Sequence, residues 1–131
     1  MNRKEIEQEL KQSIHSLRYE KGYVCSVDVL RMLGYLSDKN YEEWRSGKVP
    51  YLENVCNTNL GTLSFINKTI RRFTSELQLE SSWTGYNQFG NKGKRRLIFS
   101  KSGRENIEKT YATHYIDKQR LDELKREKAN E

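Results

Sequence analysis

A chain of 131 residues, 34% hydrophobic and 32% charged, holds enough apolar material for one modest core and little for a second. Its 24 Lys and Arg against 18 Asp and Glu leave a net charge of +6, which suits polyanionic partners without dictating a fold. No window nears the roughly 18 apolar residues of a membrane span, and the start, Met1-Asn2-Arg3-Lys4, lacks the apolar run of a secretory signal, so a cytoplasmic protein with no membrane partner is expected.

Ile6, Leu10, Ile14 and Leu17 step at helical spacing and predict a first amphipathic helix that stops at Gly22, with His15 off its apolar stripe. Ser26 is the expected cap of a second helix, through Val27, Leu30 and Leu33 to Gly34. Ser37 caps a third over 38–46, anchored by Tyr41 and Trp44. Two short helices around a tight glycine turn outline a helix-turn-helix. The third is an unsuitable recognition helix, because Glu42 and Glu43 would face an anionic surface. Cys25 and Cys56 stand 31 positions apart with no CxxC pair, a spacing that fits buried thiols rather than a zinc site. No metal or cofactor is expected.

Pro50 is placed to open another helical turn, with Leu52, Val55 and Cys56 facing inward. Leu60, Leu63, Ile66, Ile70, Phe73 and Leu77 carry the strongest periodicity in the chain and predict a long helix to about Leu79. Its polar face bears Lys68, Arg71 and Arg72. Beyond it, 82–100 alternates as a β-hairpin would, with Trp83-Thr84-Gly85-Tyr86 and Arg95-Arg96-Leu97-Ile98-Phe99 as strands, Trp83 turned inward, and the Gly/Asn-rich segment 89–93 between them. Ser102 and Glu105 form an expected capping box for a last helix carrying Ile107, Tyr111 and His114 on one side. From Asp117 to Glu131 ten charges surround only Leu121 and Leu124, so this stretch is expected as a frayed or disordered tail. The domain reading is one compact unit over 1–116 followed by that tail.

The basicity is local. Between Lys68 and Arg104 lie nine basic residues and two acids, a net of +7 within a chain of +6. A basic helix end followed by a basic, aromatic-bearing hairpin is how a winged-helix nucleic-acid binder looks in sequence. The expected architecture is therefore mainly α with one β-hairpin, winged-helix or helix-turn-helix-like.

Trp44-Arg45-x-Gly47-x-Val49-Pro50-Tyr51-Leu52-Glu53, Ser82-Trp83-Thr84-x-Tyr86, Arg96-Leu97-x-Phe99-Ser100-Lys101-Ser102-Gly103 and Ile107-Glu108-x-x-Tyr111-x-Thr113-His114 together resemble a family of small bacterial proteins of unassigned function. The resemblance spans roughly Val24 to Tyr115. It implies no activity, and it marks Arg45, Trp83, Tyr86, Lys101 and His114 as the polar and aromatic positions of its motifs.

The residues themselves therefore carry the functional expectation: a non-catalytic DNA- or RNA-binding domain whose phosphate contacts are Lys68, Arg71 and Arg72 on the long helix and Lys92, Lys94, Arg95, Arg96 and Lys101 on the hairpin. Two other classes explain some of the same residues. A protein-interaction module, binding an acidic partner or a second copy, would use the same charges. A small phosphodiester-directed enzyme would use His114 as acid or base, but no second nearby His, nucleophile motif or Gly-rich phosphate loop accompanies it.

Overall fold

The computed structural model describes residues 1–90 and 95–130. Among these, the helices are α1 (Arg3–Lys21), α2 (Ser26–Met32), α3 (Asp38–Arg45), α4 (Leu60–Glu76), α5 (Glu105–Ala112) and α6 (Lys118–Ala129), and the strands are β1 (Tyr23–Cys25), β2 (Glu80–Trp83) and β3 (Thr113–Ile116). The fold is thus mainly helical with a small antiparallel sheet, ordered β1-β3-β2.

Side-chain oxygens accept the orphan N–H groups at the helix starts: Asn2 caps α1, Ser37 caps α3 and Asn59 caps α4. The apolar stripes then meet. Ile6, Leu10, Ile14 and Leu17 of α1 pack with Leu63, Ile66, Ile70 and Phe73 of α4 in one buried cluster. Within it the Ser26 hydroxyl donates to Asn67 Oδ1 at 2.7 Å, so these two buried polar groups satisfy each other. Cys25 and Cys56 are both buried free thiols.

The sheet departs from the expected hairpin. β2 pairs with β3, Ser82 opposite His114 and Trp83 opposite Thr113, and β1 lies on the other side of β3 with Cys25 opposite His114. The segment 95–99 joins Tyr86–Gln88 through one bridge, Asn87 with Arg96, and two flanking hydrogen bonds. Its period-2 burial is as expected, Leu97 and Phe99 inside and Arg96 and Ile98 outside. Its anchorage is different. Trp44 Nε1 donates to Ile98 O at 2.9 Å, and the backbone N–H groups of Leu52 and Glu53 donate to Ile98 and Phe99. An aromatic cluster of Trp44, Tyr86, Phe99 and Tyr111, with neighbouring ring centroids 5.2–5.6 Å apart, fixes the connection between β2 and β3 to the body of the protein.

Four further expectations change. Pro50 stands two residues before a short 3-10 turn, Leu52–Asn54, rather than at its first position. The Ser102 box does not form. α5 begins at Glu105 with Arg104 as its cap residue, while Ser102 Oγ accepts from the Arg104 N–H. His114 is on β3, because the helix ends at Ala112. The stretch expected as a frayed or disordered tail holds α6, capped by Asp117, whose carboxylate also meets Arg18 at 2.7 Å. Gly22, at φ 78°, lets α6 close on α1: a Cβ there would come within 3.0 Å of Leu121 Cα.

Candidate functional site

α4 and the segment leading into α5 form the two walls of a cleft of about 700 Å³. Lys68 and Arg71 sit one turn apart on the exposed side of α4, because the apolar stripe directs the opposite side into the core. Lys101 reaches the same cleft from the loop before α5. None of the three is ion-paired with another described residue. Leu60, Ile107 and Tyr111 give the cleft apolar surface, and Ser64, Asn106 and Thr110 add neutral hydrogen-bonding groups.

Two carboxylates hold the Lys101 loop in place. Glu108 accepts from the N–H groups of Phe99 and Ser100, both at 2.8 Å, and from the Ser100 hydroxyl at 2.6 Å. Glu53 accepts from Lys101 N at 2.9 Å and from the Tyr111 hydroxyl at 2.7 Å. Burial, reinforced by the bond to Glu53, pushes the Tyr111 phenol well above its usual range, so it stays a neutral donor. Three successive backbone donors are therefore satisfied within the protein, and Ser100, Lys101 and Ser102 of this loop line the cleft. Glu53 also lines the cleft and subtracts one charge from it.

The remaining cations expected to contact phosphate do not join this group. Arg72 faces α1 and pairs with Glu7 at 2.8 Å. Arg96 lies with its guanidinium 4.7 Å from the centre of the Trp83 ring. Arg95 is exposed. Lys92 and Lys94 lie outside the described residues. Trp83, expected to face inward, is 51% exposed. Lys109, absent from the sequence reading because it lies beyond the basic window, stands near Arg71 across a second depression and pairs with Glu105 at 3.0 Å.

His114 occupies a different environment. Its Nε2 is 2.9 Å from the Tyr86 hydroxyl, which also approaches Cys25 Sγ at 3.6 Å, and its ring stacks on Tyr23 with centroids 4.9 Å apart. Burial lowers the imidazole pKa, with Lys21 acting in the same sense and Asp28 opposing. Burial pushes the Cys25 thiol up to about 12, which leaves it protonated and a poor nucleophile at neutral pH. The arrangement is a closed network in which each group partners another, and His114 lines none of the clefts described here.

No cluster of His, Cys, Asp and Glu suited to a metal ion occurs among the described residues, and no helix among them is long and apolar enough to cross a membrane. Comparison of the chain with family models, with curated proteins and with solved structures finds no match.

Proposed function

We propose that this chain is a non-catalytic nucleic-acid-binding domain of winged-helix type. In this reading α4 takes the place of the recognition helix and the 84–112 connection takes the place of the wing. Several features support it. β1 lies between α1 and α2, α4 leads directly into β2, and the β2–β3 connection returns alongside α4 to line the same cleft. The wing is then a long connection that includes α5, rather than the 82–100 hairpin.

One observation carries the reading: Lys68, Arg71 and Lys101, from segments some 30 positions apart, line one cleft without a carboxylate partner in an ion pair. Like charges lining one cleft repel each other, and an approaching phosphodiester backbone relieves that repulsion while its own counterions are released. Arg95 and Arg96 supply further contacts from the connection.

A salt titration of oligonucleotide binding tests the proposal. Replacing Lys68, Arg71 and Lys101 together by Ala should reduce the log–log salt slope by about 2 to 3. Arg72→Ala should leave the slope unchanged, because Arg72 lines none of these depressions and lies toward Glu7 on α1. Equal slopes for the wild type and the triple variant would refute the reading.

A further inference from the structure

The cleft does not end at Arg71. Arg71 and Thr110 also line a second depression of about 340 Å³, and Lys109 lines both that depression and a third of about 630 Å³ that contains Trp83, Arg96 and Ile98. Because neighbouring depressions share side chains, they run as one track around α5. Lys101, Lys68 and Arg71 line its first part, Arg71 and Lys109 its second, and Lys109, Arg96 and the Trp83 indole its third.

That indole is set up in a particular way. Trp83 is on β2 and remains 51% exposed, while the other tryptophan, Trp44, is at 0%. The Arg96 guanidinium lies over the Trp83 ring, and Gly85 makes room for it: a Cβ at that position would come within 3.0 Å of Arg96 Nη2. A cation held over a ring that remains half exposed lies where a phosphate adjoining a base stacked on that ring would pass. Lys109 joins the track despite its bond to Glu105, since both side chains are exposed and such pairs exchange easily for a phosphate.

The geometry points to single-stranded nucleic acid as the ligand. Its phosphates follow Lys101, Lys68, Arg71 and Lys109, and one unpaired base stacks on Trp83. This inference rests on the nucleic-acid reading above and narrows it. A duplex keeps its base faces stacked inside and has none to offer an indole, whereas a single strand exposes them. The basic stripe of α4 is also one wall of a cleft rather than a ridge, a shape suited to a narrow strand.

Fluorescence titration of the full chain separates the possibilities. The probes are oligothymidylate, oligouridylate and a self-complementary DNA duplex, and Trp83→Phe identifies the Trp83 share of the signal. The single strands should quench Trp83 and the duplex should not; comparing the two homopolymers shows whether DNA or RNA binds more tightly. Trp83→Ala should weaken single-strand binding about 5- to 100-fold with little change in salt slope, and Trp83→Phe should recover most of the loss. Nucleic-acid binding that is indifferent to Trp83→Ala, or that favours the duplex, overturns this inference and leaves the broader reading standing. Absence of binding to all three probes overturns both.

Discussion

The His114–Tyr86–Cys25 network and the Lys68–Arg71–Lys101 cleft both gather side chains capable of chemistry, and they treat them in opposite ways. In the network Cys25 Sγ, the Tyr86 hydroxyl and His114 Nε2 are linked to one another and burial favours the uncharged form, so imidazole, phenol and thiol remain neutral. In the cleft the cations are exposed and lack ion-pair partners among the described residues, while carboxylates fix the backbone that carries one of them. A residue type associated with catalysis marks the first region and a generic charge marks the second. Access and unmet electrostatic demand are the grounds on which we propose the second as the functional region.

The comparison can be broken most forcefully at the aromatic cluster that supports both regions. Trp44→Ala removes a fully buried ring packed on Tyr86 and Phe99 and leaves Ile98 O without its indole donor. Urea unfolding should show a loss of about 3–5 kcal/mol.

Glu108→Ala acts on the cleft side alone. It frees two backbone N–H groups and a hydroxyl from their charged acceptor. A loss of about 2–3 kcal/mol is expected. Nucleic-acid affinity, measured under conditions where the variant stays folded, should fall as well, because Glu53 alone then holds the Lys101 loop. Unchanged affinity would show that the loop needs no positioning.

The smallest effect sharpens the network side. The folded-state pKa of His114 lies below the ordinary imidazole value of 6.5, so the unfolded chain binds a proton more readily than the folded one. The stability associated with neutral His114 is therefore fully present above 6.5 and declines as pH falls through the folded value. Replacing His114 by Gln should make stability less dependent on pH in that acidic window, as read by thermal unfolding across a pH series. Nucleic-acid binding at neutral pH should be unaffected.

Legibility from sequence followed the range of the interactions. The α1 and α4 stripes and the Ser37 cap depend on residues within a few turns, and both helices and the cap lie where periodicity and capping place them. β1 and β3 were missed because strands of three or four residues are defined by their partners, and Tyr23 pairs with Ile116 across most of the chain. The 95–99 alternation matches the observed burial, but it reports which side chains are buried, not which backbone binds the segment. α6 has the composition of a tail, because its few leucines cannot order it alone. It is docked by the Arg18–Asp117 ion pair and by the fit of Leu121 beside Gly22, neither of which local composition reveals.

At the site, Lys68, Arg71 and Lys101 were legible as cations, but their convergence was not. Arg72 adjoins Arg71, yet one step along a helix turns the side chain by roughly 100° and brings it to Glu7 instead. Glu53 and Glu108, which carry no functional signature in sequence, proved to hold the Lys101 loop.

Amide chemical-shift mapping of the full chain with a single-stranded oligonucleotide compares the two regions directly. Saturable shifts are expected along the outer face of α4 from Ser64 to Ser75, over 100–113 and at Trp83 and Arg96, with Cys25 unmoved. Shifts centred on Cys25, Tyr86 and His114, with Lys68, Arg71 and Lys101 silent, would contradict it.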